Sequence, residues 1–579
     1  MIQNSTPYKV VIGATIIYGG FLAMMNWQAA GMTGLFPEAV KDGFRHILIP
    51  FLFINNVVVF SLLLHKSRGI EFVPSQAKFT ILAPSAIGVL SAITIPLFTN
   101  NDATIYASLT SIITFCTWFA VVVGYDTLTP LSSDLHRKGA SIRYGVETAP
   151  LPENVLNIAG VPLTWMSEKQ HQLITGSTGT GKTQVMDAEL RIIRKRGDRA
   201  VIIDPGGGFY NRHVVESAGD VLINPLDDRS LNWSPFAEIE ADHDFERVAA
   251  SMVPEASGES KQWHVYGRTF AAEVMRAMYN RKELSPRQLF DYLMVAKTDK
   301  LYKLLDGTAA AALCAPENAK MFASVRSVLT PYTGILKRLS DTTEPFSVRR
   351  WIRDSEQPGE HKNWLFITYR DDQMDLLRQF VATIADLALL EALSLPENDQ
   401  RRLFFFLDEI DSLGRIGQLK DGLIKLRKFG GACVLAVQTI AQLRDVYGPD
   451  VSRAIMGNTA TKVILRPSDG ETAKAMEAEI GEQEIDRLTI STASGSGSSD
   501  AGLFGSNNHR SKNTTTSTQR VRQSAMMASE LQGMPDLRAV VIRPGQTHVM
   551  VDVPYVKMPA RAAPFVPKAL TIKTDANAS

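Results

Sequence analysis

The sequence predicts a membrane α-helical anchor followed by an α/β P-loop ATPase domain that a mainly helical insertion divides. Three observations predict it. Four charge-free apolar stretches lie near the N-terminus, a glycine-rich loop stands between a strand-like run and a helix-like segment, and a second apolar run ends in two carboxylates.

The apolar stretches are Val10–Trp27, Ile47–Leu64, Phe79–Phe98 and Ala103–Tyr125, none with a Lys, Arg, Asp or Glu. At about 18 to 23 residues each, they are long enough as helices to cross a hydrocarbon core of ~30 Å. Trp27, Tyr106, Trp118 and Tyr125 lie near their ends, where amphipathic rings settle at the membrane interface. Lys66, Arg68 and Lys78 fall in the second connection and Arg137, Lys138 and Arg143 follow the fourth stretch, whereas Thr99–Asp102 has no basic residue. That bias places both termini in the cytoplasm. No basic segment and cleavage site precede the first stretch, so it reads as an uncleaved anchor.

The glycine-rich loop is Gly176, Ser177, Thr178, Gly179, Thr180, Gly181, Lys182 and Thr183. Leu173 and Ile174 lead into it and a helix-like segment, Lys182–Arg196, follows. In that context glycines let successive backbone N–H groups turn onto phosphates, and the helix N-terminus adds its positive dipole end. Lys182 is expected to reach the β- and γ-phosphates and the Thr183 hydroxyl to ligate magnesium. The loop calls for ATP or GTP with Mg2+.

Arg401–Ile410 is the second run, apolar from Leu403 and ending in Asp408 and Glu409. It has the pattern of a strand buried on both faces, whose C-terminal end is where an open α/β sheet places its ligands. Asp408 is then a magnesium ligand, directly or through water, and Glu409 polarises the attacking water. An acidic helix N-terminus is the blander alternative.

Two further runs suit the same sheet. Arg199–Pro205 follows the first helix, and Ala432–Thr439 ends on Gln438. An amide at the tip of a strand between the two motif strands can sense the γ-phosphate; alternatively, it is satisfied by loop backbone. Arg427 and Lys428 close the helix-like stretch Leu413–Phe429, where basic residues also suit the helix dipole.

With 579 residues the chain allows several domains. Its net charge of +1 gives no global nucleic-acid signature. Cys116, Cys314 and Cys433 lie far apart, which excludes a metal or redox spacing. The expected organisation is a transmembrane domain (1–130), a first nucleotide-binding part (131–237), an all-α insertion (238–343) and a second part (344–556). Within the insertion, apolar residues recur at helical spacing in Phe270–Met278 and Leu289–Val295. The α/β pattern returns at Asn363–Tyr369 and a long helix runs through Glu391. Ser491–Ser517, rich in Ser, Gly, Thr and Asn, reads as a mobile loop. Val540–Pro544 and His548–Val553 read as closing strands, and 557–579 as a flexible basic tail.

In this order the motifs resemble the type IV secretion coupling proteins, the TraD/TrwB group of conjugation ATPases. The resemblance runs from about His171 to Pro554. It rests on GSTGTGKT (Gly176–Thr183), VIIDPGG (Val201–Gly207), NPLDDRSLNW (Asn224–Trp233), LFITYRDD (Leu365–Asp372), LFFFLDEIDSLGRIGQL (Leu403–Leu419), KLRKFGG (Lys425–Gly431), VLAVQTIAQLRDVYG (Val434–Gly448) and IGEQEIDR (Ile480–Arg487). The phosphate loop alone is generic to such ATPases, while the ordered set is specific.

The resemblance implies a RecA-like motor with an all-α insertion, forming a homo-hexamer on the cytoplasmic face of the bacterial inner membrane. Implied partners are single-stranded transfer DNA, the relaxase of the relaxosome and the inner-membrane components of the secretion channel. It also makes Arg427 the arginine finger that acts across a subunit boundary. The best-known members have two membrane spans against four expected here, and Gly208 stands where the family often carries an acidic residue. Two other classes share part of this pattern. A partition translocase of the FtsK type carries a long linker and a winged-helix reader, neither of which is evident. A receptor for exported effector proteins would use ATP for assembly.

Overall fold

A ten-stranded sheet organises the described residues, which are 134–145, 151–256, 258–354, 362–500 and 506–568 of this computed structural model. The four apolar stretches fall outside the described residues; among the latter no helix is long and apolar enough to cross a membrane. In chain order the strands are β1 (Leu135–Gly139), β2 (Ile142–Tyr144), β3 (Asn157–Ile158), β4 (Val161–Pro162), β5 (Gln172–Thr175), β6 (Arg199–Pro205), β7 (Val221–Ile223) and β8 (Leu365–Tyr369). There follow β9 (Leu403–Leu407), β10 (Gly431–Val437), β11 (Thr461–Ile464), β12 (Glu482–Asp500), β13 (Ser506–Ser524), β14 (Arg538–Ile542) and β15 (His548–Asp552).

In space the large sheet runs β2-β15-β14-β11-β5-β10-β9-β6-β8-β7. Every pairing from β11 to β7 is parallel. β14 joins β11 antiparallel and turns back into β15. The parallel strands are buried on both faces, which is why runs such as Leu403–Leu407 are apolar without alternation.

The two faces carry different layers. Ile174, Ile202, Phe366, Phe406 and Val434 pack beneath the helix Lys182–Arg196, through its Val185, Met186, Leu190 and Ile193. That helix stops at Gly197, whose φ of 80° lets its N–H return to the carbonyls of Ile193 and Arg194. The opposite face, with Leu173, Ile203, Ile367, Phe405 and Leu435, packs with the helix Met374–Ala392 and the residues between β7 and β8.

Those intervening residues are helical, with Asp244–Met252, Lys261–Asn280 and Ala319–Thr333 as the longer elements. Phe270 and Phe322 meet edge to face at 5.0 Å in their core. Where the helical segment leaves and rejoins the sheet domain, Glu238 is buried and accepts bonds from Trp233 Nε1, Ser347 Oγ and the backbone N–H groups of Val348 and Arg349. One carboxylate thus ties the outgoing chain to the returning one.

Three expectations are corrected. The stretch Leu413–Phe429 is helical only over Leu419–Lys425, followed by a 3-10 turn at Leu426–Phe429. Gly414 and Gly417 press against Gln379 and Asp386 of the long helix, so the chain follows that packing before a helix can start. Within Ser491–Ser517, residues 491–500 and 506–517 are not loop but part of a two-stranded ribbon, β12 with β13, paired from Glu482–Ser524 out to Asp500–Ser506, while 501–505 lie outside the described residues. A ladder satisfies backbone groups without an apolar face, so a Ser/Thr-rich composition conceals it. Finally, Lys557–Lys568 of the supposed flexible tail is held against the domain by backbone hydrogen bonds; residues 569–579 lie outside the described residues.

Candidate functional site

The phosphate loop connects β5 to the helix Lys182–Arg196. Gly176 cannot be replaced without rearrangement: a β-carbon there would stand 2.7 Å from Leu465 Cβ and 2.8 Å from Thr180 Oγ1. Ser177 donates from both its N–H and its hydroxyl to the carbonyl of Arg466, at 3.0 and 3.1 Å. Thr180 Oγ1 donates to Ser177 O at 2.7 Å. Lys182 Nζ donates to Gly176 O at 2.7 Å and to Ser177 O at 3.4 Å, folding the ammonium into the loop. Burial lowers its pKa, while Asp408, Glu409 and Asp411 oppose that shift. Those three carboxylates are therefore its electrostatic neighbours.

β9 and β6 deliver the acids. Asp408 follows Leu407 at the C-terminal end of β9, and burial, reinforced by the Glu409 charge, pushes its carboxyl up to about 7. Glu409 adopts φ 53°, a left-handed conformation uncommon outside glycine and concentrated at functional sites. Burial raises its pKa, Lys182 opposes that rise and Asp411 adds to it.

The register pairs Ile203 with Leu407 and Asp204 with Thr368. Asp204, Thr368 and Asp408 accordingly lie side by side at the strand ends. Asp204 Oδ2 accepts the N–H of Tyr210 at 2.7 Å. Its Oδ1 and the Thr368 hydroxyl are buried without a hydrogen-bond partner. Burial pushes Asp204 up to about 7 as well.

Gln438 stands at the end of β10, which lies between β5 and β9. Its Nε2 donates to Thr178 Oγ1 at 3.0 Å, so it touches the phosphate loop directly. Asp411 Oδ2 fixes its backbone by accepting the N–H groups of Gln438 and Thr439. Lys182, Asp408, Glu409 and Gln438 are thus brought to one edge of the sheet. Thr183 is exposed in the first helical turn.

Arg427 is not part of that group. It is exposed in the turn before β10 begins; burial first, then Arg402, lower the pKa of Lys169, and the Arg427 charge adds a smaller push in the same direction. The length of β10, about 20 Å at 3.3 Å per residue, separates it from Gln438.

Sequence reasoning missed three supports of the loop. Asp411 had a signal, standing three residues beyond Asp408 in the same acidic motif. The Arg466 carbonyl and the Leu537 N–H, which donates to Thr180 O at 2.9 Å, had none, because they arrive through β11 and β14.

The donor set fits a nucleotide with Mg2+. Gly176 leaves room only for backbone, Lys182 sits in the loop, and Asp204 Oδ1 lacks a partner beside Asp408. Among the described residues, no group of three or more His, Cys, Asp or Glu could hold a metal ion. Magnesium is commonly held by one or two carboxylates together with substrate phosphates, and Asp408 is such a carboxylate.

Fold and site together define a phosphate-loop nucleotide-binding protein with its acids at the ends of β9 and β6, across β10 from the loop's own strand. The family model for the type IV secretion-system coupling protein DNA-binding domain matches residues 155–555. Coupling protein TraD of Escherichia coli (strain K12) is 31% identical over 417 residues, which cover 71% of this chain and 56% of TraD. The match therefore spans little more than half of that relative. The unbound bacterial conjugative coupling protein TrwBdeltaN70 aligns with a TM-score of 0.63 at 31% identity, covering 73% of this chain and 92% of that structure. Plasmid coupling protein TrwB in complex with ADP and Mg2+ aligns with a TM-score of 0.64 at 31% identity, over 75% of this chain and 98% of that structure. The chain belongs to the type IV secretion-system coupling protein family.

Proposed function

We propose that this protein is an inner-membrane ATPase that couples relaxase-bound DNA, and the protein attached to it, to a type IV secretion channel in bacterial conjugation. ATP and Mg2+ are its cofactors. TrwB has been solved with ADP and Mg2+ and with non-hydrolysable GTP and ATP analogues; the same chemistry is read here from this chain's own residues. Lys182 and the loop backbone bind the β- and γ-phosphates. Thr183 and Asp408 hold the magnesium, which neutralises phosphate charge when bound. Glu409 orients the attacking water, and Gln438, already in contact with Thr178, reports whether a γ-phosphate is present.

One observation carries the motor reading. Arg427 is exposed at the opposite end of β10 from its own phosphate loop, so an arginine finger at this position serves a neighbouring subunit. A homo-hexamer in the inner membrane, anchored by the four apolar stretches, supplies that neighbour. The domain organisation follows the sequence division: anchor 1–130, nucleotide-binding parts 131–237 and 344–556, all-α insertion 238–343.

The test is ATP hydrolysis by the full-length protein in detergent, with and without single-stranded DNA and with Lys182→Ala as the blank. Stimulation by DNA and a rate rising steeply with protein concentration are expected. Arg427→Ala alone should reduce turnover by about 10³-fold or more. Mixed with Lys182→Ala, it should recover part of the activity, because each supplies what the other lacks. No recovery, or normal hydrolysis by Arg427→Ala alone, removes the trans-acting role. Indifference to DNA favours a receptor for exported proteins.

A further inference from the structure

Beyond β15 the chain turns back along the nucleotide edge as an extended strap, Val553 to Lys568. The Val553 N–H donates to Leu537 O at 2.6 Å, and the Leu537 N–H donates to Thr180 O within the phosphate loop at 2.9 Å. The Val556 N–H donates to Gln184 Oε1 at 2.7 Å, in the first turn of the P-loop helix. Farther along, the Arg561 N–H reaches Asn211 O at 2.7 Å, the Val566 N–H reaches Asp227 Oδ2 at 3.0 Å, and the Lys568 N–H reaches Leu226 O at 3.0 Å. Gly207, with φ 70°, admits the strap: a β-carbon there would collide with the Pro564 carbonyl.

Tyr555 lies between two anchors, Val553 on Leu537, which in turn holds the loop, and Val556 on Gln184 of the helix. It is 68% exposed, whereas Val553 beside it is 5% exposed. Phosphates gripped by the loop and the helix N-terminus leave the nucleoside to emerge beside the first helical turn. In this chain that turn holds Gln184, the residue to which the strap is tied. The nucleotide's apolar, flat end therefore emerges where the strap holds an exposed aromatic ring.

We propose that Tyr555 forms the nucleoside subsite, its ring stacking on the purine base of the nucleotide held by Gly176–Thr183. This rests on the nucleotide reading of the loop and adds a base-binding surface to it. Stacking uses the π-face that every base has, so adenine and guanine nucleotides are held alike. The strap's fixed backbone presets the ring's position, which limits the ordering that binding requires.

Equilibrium binding of ADP, GDP and inorganic pyrophosphate to the full-length protein in detergent with Mg2+ tests this. Tyr555→Ala should weaken ADP and GDP by roughly 5- to 100-fold, the range that base–aromatic stacking supplies. Pyrophosphate affinity should be unchanged, and Tyr555→Phe should bind all three as the parent does. Unchanged ADP affinity in Tyr555→Ala overturns the proposal. So does an equal loss for ADP and pyrophosphate, which would make the ring a support for the loop. If the parent protein binds none of the three, the nucleotide reading itself falls and the subsite with it. Loss of all three in Lys182→Ala separates the phosphate contacts from the base contact.

Discussion

Asp204 at the sheet edge and Glu238 at the neck of the helical segment are both buried carboxylates, but their partners differ. Glu238 accepts from an indole N–H, a hydroxyl and two backbone N–H groups, enough to occupy both oxygens. Asp204 has one close bond, from Tyr210 N–H, with the Phe209 and Gly208 N–H groups also turned toward its carboxylate, and its Oδ1 has no close partner beside Asp408 and an equally unpartnered Thr368 hydroxyl. Burial raises the pKa of both. A saturated buried acid is a fastener, because its interactions are complete within the fold. One with an unpartnered oxygen beside Asp408 is open to a ligand or its hydration.

The largest expected effect separates chemistry from stability at the sheet edge. Glu409→Gln keeps the shape but removes the carboxylate proposed to orient the attacking water, so turnover should fall by about 10² to 10⁴. Nucleotide affinity and melting temperature should stay near those of the parent. A full-length variant that hydrolyses ATP normally would transfer the role elsewhere in the acidic motif. At the neck the outcome should invert. Glu238→Ala strands the donors of Trp233, Ser347, Val348 and Arg349, and should cost about 2–4 kcal/mol of stability. Nucleotide affinity of the folded fraction should be retained. Denaturant melts with and without ADP measure both quantities, and a loss of ADP binding greater than the loss of stability would join the two regions.

What could be read in advance follows from how local each signal is. The P-loop helix was legible with its ends, since glycines stand at both termini of one amphipathic run. β9 was legible because a strand covered on both faces is apolar throughout. Gln438 followed from strand order, as the β10 tip lies between β5 and β9. The role of Glu238 was not legible, because three of its four donors lie 109 to 111 residues away and two of those are backbone N–H groups. The same holds for the Arg466 carbonyl, the Leu537 N–H and the strap: any residue can offer a backbone group, so identity carries no signal. The β12–β13 ribbon was hidden for a related reason, its ladder being built without an apolar face.

A smaller effect is expected at Asp204. Asp204→Asn keeps an acceptor for Tyr210 and removes the buried charge, so the nucleotide-free protein should be at least as stable as the parent. Groups behind a metal's direct ligands typically contribute 10- to 100-fold to its affinity. Mg2+ titrations of ADP-bound protein should therefore show a loss of about tenfold. Unaltered Mg2+ affinity, or marked destabilisation, would return Asp204 to the same class as Glu238.

Glu189 tests the comparison where neither ligand nor complete partner set is at hand. It is a fully buried residue of the P-loop helix, and its Oε2 accepts Gln172 Nε2 of β5 at 3.1 Å. Its Oε1 and Gln172 Oε1 are both without a partner. Burial pushes the Glu189 carboxyl up to about 8 from 4.5, so near neutral pH the folded protein holds a proton there that the unfolded chain has released. A protonated carboxyl supplies the donor that Gln172 Oε1 lacks, and the proton is the missing partner. The associated stability is present below about pH 4.5 and falls as pH rises toward 8, because the folded state binds more protons across that window. Glu189→Gln replaces the proton with a permanent N–H donor. Its melting temperature should match the parent's at pH 5 and exceed it at pH 8.5, giving a flatter dependence between them. Parallel profiles for the two proteins would mean that Glu189 is charged when folded, and that a buried acid short of partners in this sheet need not be neutral.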